Sequence, residues 1–172
     1  MQTIFKLTIV IFIGLIISCS TDKKIETSPK LENRIIDNSY LLTKPQKDSI
    51  FNLIENLDKE IGSQIAILTI DTLGKEKLEE FSLRMAEQLG LGRSTHNDGL
   101  LITIVTMERK MRIEVGIGLE NIIKDEVAAR IIRDDMAPSF RQEKYGQGIY
   151  QAVRKISKLI TESKELVGTE PI

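Results

Sequence analysis

The chain has 172 residues, 41% of them hydrophobic, which is enough for one ordinary domain with extensions. Its 24 Lys and Arg against 25 Asp and Glu leave a formal charge of −1, and aromatics make up 5% with no Trp. Neither the basic footprint nor the stacking platform of a nucleic-acid binder is present, and a solitary cysteine, Cys19, excludes an internal disulfide and a cysteine-based zinc site.

Residues 1–19 carry one basic side chain, Lys6, then an apolar run from Leu7 to Ile17 and the pair Ser18-Cys19. The run is short for a membrane span and has the shape of a secretory signal. Ile16-Ile17-Ser18-Cys19 resembles the bacterial lipobox, in which the cysteine becomes the lipidated first residue of the mature protein. Residues 1–18 are therefore expected to be a signal peptide, with Cys19 carrying a lipid anchor to the membrane of a bacterial cell envelope. Residues 19–39 are polar, contain Pro29 and show no sustained period, so they read as a flexible, disordered tether.

The folded domain is expected over residues 40–162. Thr43, with Gln46 three residues on and Pro45 in the first turn, has the form of a helix start. Ile50, Leu53, Ile54, Leu57 and Ile61 then recur at helical spacing until Gly62. Gln64–Ile70 is an apolar, β-rich run closed by Asp71-Thr72-Leu73-Gly74. Glu76–Leu89 is amphipathic through Leu78, Phe81, Met85 and Leu89, and Gly90-Leu91-Gly92 stops it. With the next run this makes a strand–helix–strand unit, for which parallel strands and a right-handed crossover are expected.

Leu100–Val105 is almost continuously apolar, which suits a strand buried on both faces in the middle of a layered α/β sheet. Met111–Val115 alternates, as a strand with one wetter face does. The link Met107–Lys110 is short and mostly polar, so the two should form an antiparallel hairpin. Asp125 reads as the N-cap of a helix carrying Val127, Ile131 and Ile132, with Pro138 ending it. A last helix bears Ile149, Val153, Ile156 and Ile160. Residues 163–172 have no pattern and are expected to be a disordered tail.

A hairpin brings its outer ends together, so Asn97-Asp98-Gly99 should lie beside Gly116-Ile117-Gly118, with Glu120 and Asp125 following. Carboxylates next to glycine carbonyls suit Ca²⁺ or Mg²⁺, which take oxygen ligands. Asp98 and Asp125 also suit the plainer work of capping turns and helix ends. His96, in a polar loop, is a ligand, a proton carrier or merely solvated. Arg112 and Arg141 could each clamp a phosphate through a guanidinium fork, or form surface ion pairs. Asp71 ends the other parallel strand, where open α/β sheets usually bind ligands, and should lie at the opposite end from Asp98. Asp134 and Asp135 read as helix-surface acids.

From about Tyr40 to Ile160 the chain resembles the TPM domain family, which includes a thylakoid lumen acid phosphatase and many bacterial envelope proteins. The matching phrases are Gln64–Ile70, Gly90-Leu91-Gly92, Asn97–Leu101, Arg112–Glu120, Pro138–Arg141 and Tyr145-Gly146, in that order. The resemblance implies a three-layer α/β/α sandwich with a mixed central sheet, a phosphatase label for some members, and divalent-cation binding at an acidic groove. Many bacterial members carry a glycine-rich tail or C-terminal membrane helix. The sequence shows neither, so a role that needs that helix does not carry over.

No P-loop, cysteine nucleophile or second histidine is available for phosphoryl chemistry. Two functions follow. One is a weak divalent-dependent acid phosphatase with Asp98 as catalytic residue and Asp98, Gly116, Gly118, Glu120 and Asp125 around a Ca²⁺ or Mg²⁺ ion. The other is a non-enzymatic, metal-stabilised binding module, tethered to the envelope, that helps assemble or maintain a membrane complex with an envelope protein partner.

Overall fold

The computed structural model describes residues 34–168. A four-stranded sheet forms the middle layer, in the order β1 (Ile35–Asp37), β2 (Gln64–Ile70), β3 (Gly99–Val105), β4 (Lys110–Val115). The first three strands are parallel, and β4 runs antiparallel to β3 with Leu100 opposite Val115 and Val105 opposite Lys110. Every residue of β3 is buried, as its unbroken apolar run requires.

Strand alternation divides the core in two. Ile65, Ile67, Leu100, Ile102, Ile104 and Ile113 face the larger half, where they meet α1 (Lys44–Ile61) and α5 (Tyr145–Gly168). Ala66, Leu68 and Leu101 face the smaller half and are covered by Phe81, Met85 and Leu89. Of these, Phe81 and Met85 belong to α2 (Leu78–Gln88) and Leu89 is its C-cap. The result is the expected α/β/α sandwich around a mixed sheet. Within the smaller half, buried Ser82 donates its hydroxyl to buried Thr103 at 3.0 Å, a polar tie between α2 and the central strand.

α1 begins where the Thr43–Gln46 pattern put it. The Thr43 N–H donates to Gln46 Oε1 at 2.9 Å, and Gly62 closes the helix at φ 83° with its N–H on the Asp58 carbonyl. The connections β1–α1–β2 and β2–α2–β3 step the same way across the sheet, yet α1 and α2 pack on opposite faces. Only one of the two can therefore have the right-handed sense expected of such units.

Four expectations are corrected. The segment read as tether through residue 39 contains β1: Ile35 packs into the larger core half, Ile36 into the smaller, and Asp37 pairs with Thr69 in the register. Asp125 is the first residue of α3 (Asp125–Arg130), and Lys124 is the N-cap. Pro138 does not end that helix. A wide turn at Ile131–Met136, with i to i+5 hydrogen bonding, leads straight into α4 (Ala137–Phe140), where Pro138 stands in the first turn and its missing N–H costs nothing. Finally, α5 runs to Gly168, so much of the patternless segment after residue 162 is helix. Residues 1–33, including the signal segment and Cys19, lie outside the described residues.

Candidate functional site

The hairpin closes as expected and brings Asp98 to the glycine end. Gly118 N–H donates to the Asn97 carbonyl at 3.0 Å, and Gly116 N–H to the Gly99 carbonyl at 2.8 Å. A Cβ on Gly116 would collide with the Asn97 carbonyl, and one on Gly118 with that of His96. These glycines let two stretches of backbone touch.

Asp98 itself turns away from them into the corner between α1 and β2 and is 1% exposed. One carboxylate oxygen accepts the Arg93 backbone N–H at 2.9 Å. The other accepts Arg93 Nε at 2.9 Å, takes a short contact from Nη2, and lies 3.5 Å from the Ser63 hydroxyl. Gly62 is part of the same arrangement, since a Cβ there would fall on the Arg93 guanidinium. Burial pushes the Asp98 carboxyl up, but the hydrogen bonds and charge of Arg93 outweigh it and hold the group below the usual carboxylate range.

The residues expected around a cation are therefore not one set. Glu120 and Asp125 are exposed, and Asp125 sits in the first turn of α3. The Gly116 carbonyl already accepts the Leu119 N–H at 2.8 Å. Among the described residues no three His, Cys, Asp or Glu side chains come together as a metal-holding group. The donor set at Asp98 does not fit a divalent ion, because an ion there would have to displace a guanidinium. His96 is exposed, with Nδ1 2.7 Å from the Thr95 hydroxyl. Arg112 pairs with Glu114, Asp134 with Arg133 and Asp135 with Lys155.

The opposite end of the sheet holds a cleft of about 610 Å³. Thr106 and Arg109 reach it from the hairpin turn and Lys110 from the start of β4, Arg141 and Glu143 from the segment between α4 and α5, and Tyr145 from the start of α5. Its apolar floor includes Ile104, Met111 and Phe140, and the Phe140 and Tyr145 rings meet edge to face at 5.1 Å. Among the described residues, three of the four non-glycine residues with left-handed backbone stand on or beside it: Tyr40 (φ 53°), Arg109 (φ 52°) and Glu143 (φ 58°). Such conformations persist where surrounding contacts impose them, and they gather at functional sites.

Asp37 supplies some of those contacts. Its side chain is fully buried and accepts the backbone N–H groups of Leu41 (2.9 Å) and Leu42 (3.1 Å), the Thr69 hydroxyl (2.8 Å) and the Lys47 ammonium (3.0 Å). It thereby fixes the Tyr40 turn and sets Leu41 on the cleft wall. On the other side, Glu108 accepts the Thr72 hydroxyl at 2.7 Å and the Leu73 N–H at 3.1 Å, tying the hairpin turn to the loop after β2. Of these residues the sequence marked only Arg141. The rule that open α/β sheets bind ligands at the carboxyl ends of parallel strands, applied to the end of β3, also points to Arg109 and Lys110.

An open, mostly parallel sheet between helical layers, with a pocket at the carboxyl end of its central strand, defines an α/β/α fold. Residues 35–159 match the TPM domain model, and the chain belongs to that family. A solution structure of the N-terminal domain of a P. gingivalis protein is 31% identical, with a TM-score of 0.72 over 80% of this chain and 86% of that one. The BA42 protein of the psychrophilic bacterium Bizionia argentinensis is 16% identical, with a TM-score of 0.62 over 70% of this chain and 82% of its own. The N-terminal domain of a Corynebacterium glutamicum protein is 11% identical, with a TM-score of 0.59 over 74% and 79% of the two chains. The last two share the fold. No curated protein matches the chain.

Proposed function

We propose that this TPM domain acts as a binding module held at the bacterial cell envelope by a lipid on Cys19, and that it works by engaging a partner or ligand rather than by turnover. The observation that carries the reading is the state of Asp98. Asp98, the carboxylate that the sequence singles out as catalytic, is buried, and both its oxygens are bound to Arg93. A general base must reach the proton it takes, and a group locked in an ion pair below the ordinary carboxylate range is a poor one.

Phosphomonoester hydrolysis is the second reading, and the cationic cleft favours it, since Arg109, Lys110 and Arg141 suit a phosphoryl group. One experiment separates the two. Cells expressing wild type and Cys19→Ala are fractionated, and the purified proteins are assayed with p-nitrophenyl phosphate, with and without millimolar Ca²⁺ or Mg²⁺. The module reading predicts that Cys19→Ala leaves the membrane fraction, and that wild type and Asp98→Asn are alike in showing no turnover above buffer. Turnover above buffer by the wild type that Arg109→Gln or Arg141→Gln abolishes would establish the phosphatase reading at the cleft, and unchanged membrane retention of Cys19→Ala would refute the anchor.

A further inference from the structure

The cleft at the carboxyl end of β3 has a charge pattern that says what it takes. Among the described residues, Arg109, Lys110 and Arg141 carry its positive charge, and Glu143 is the single acid on its wall. None of the three cations is within ion-pair distance of a carboxylate among the described residues, whereas Arg84, Arg93, Arg112 and Arg133 each are. Lys110 acts on Glu108 only through longer-range charge. Helix α5 starts at Tyr145 on the same wall, and the N-terminus of a helix that long adds partial positive charge. Beneath the cations the surface is apolar, through Leu41, Ile104, Met111 and Phe140. The volume of about 610 Å³ is that of a small-molecule pocket rather than of an extended groove.

We propose that this cleft binds a small soluble organic dianion, a phosphoryl or dicarboxylate head on an apolar body about the size of one ring. Three cations against one acid balance two negative charges. The guanidinium groups of Arg109 and Arg141 offer paired donors suited to the oxygens of such a head. The body lies against Phe140 and Met111, which inorganic phosphate leaves uncovered. Glu143 opposes the head and sets an upper limit on affinity.

The inference deepens the binding-module reading and rests on it, so its test uses ligands that cannot be hydrolysed. Isothermal calorimetry on the full chain compares phenylphosphonate, phthalate and inorganic phosphate at low and moderate salt. Phenylphosphonate and phthalate are expected to bind at least about tenfold more tightly than inorganic phosphate, and more weakly as salt rises. Arg109→Gln and Arg141→Gln should each weaken phenylphosphonate about tenfold, the loss of one good charged hydrogen-bonding partner, while Glu143→Gln tightens it. All three side chains are exposed, so an unchanged melting temperature shows that the fold is intact. Vesicles containing phosphatidic acid should not displace the ligand. Binding no tighter than inorganic phosphate, indifference to both arginine variants, weakening by Glu143→Gln, or displacement by those vesicles would overturn the proposal. A failure of the module reading would show elsewhere, as turnover of p-nitrophenyl phosphate.

Discussion

Asp98 and Asp37 are buried carboxylates at opposite ends of the sheet, and both are held below the ordinary carboxylate range. For each, burial pushes the carboxyl up, and hydrogen bonds outweigh it: Arg93 at Asp98, and Lys47, Thr69, Leu41 and Leu42 at Asp37. In the unfolded chain an Asp titrates near ~3.9. Above that pH both groups contribute their full stabilisation, and as pH falls through their depressed folded values the contribution is lost. Because Arg93 is 35% exposed, solvent screens part of the Asp98 pair. Asp98→Asn is therefore expected to cost about 1–3 kcal/mol at pH 7. Urea titrations at pH 7 and pH 3 should show wild type losing more stability on acidification than the Asp37→Asn/Asp98→Asn double variant; equal losses would contradict the assignment. Sequence made Asp98 visible, through its place before an apolar strand and opposite Gly116. It did not show where the side chain turns, because Arg93, Ser63 and Gly62 become its neighbours only when α1, β2 and the loop before β3 meet.

The elements that sequence revealed are those whose local chemistry and tertiary place agree. α1 has its Thr43–Gln46 start, its stripe and its Gly62 stop, and β3 has seven residues of continuous burial to match its apolar run. β1 was hidden because three residues cannot display a period, and Ile35-Ile36-Asp37 stands in a polar stretch. Pro138 misled because the wide turn before it converts a helix breaker into a first-turn residue. The role of β1 gives a direct test. The reference is a chain that starts at residue 34, the first described residue. One starting at residue 40 loses two partly buried isoleucines and the carboxylate that fixes the Tyr40 turn, and should be less stable by about 3 kcal/mol or more. Equal urea midpoints for the two would show that β1 contributes nothing to the fold.

At the scale of the molecule the sheet has two unlike ends. At one, Gly116 and Gly118 close the backbone around a locked Asp98; at the other, three cations without a carboxylate partner among the described residues surround an apolar-floored cleft held by Asp37 and Glu108. The arrangement of β2, β3 and β4 and the opposition of Asp71 to Asp98 were legible from the strand–helix–strand pattern and the short hairpin link. The choice of binding end was not, because Arg109 and Arg141 are 32 residues apart in sequence and converge only through the packing of the α4–α5 corner on the hairpin turn. Amide chemical-shift mapping of the labelled protein, titrated with phenylphosphonate and separately with Ca²⁺, addresses this directly. Phenylphosphonate is expected to move the signals of residues 104–111 and 137–145, and Ca²⁺ to leave those of residues 92–99 and 116–125 in place. Phosphonate shifts confined to the glycine end, or a saturable Ca²⁺ response there that Asp98→Asn abolishes, would contradict the account.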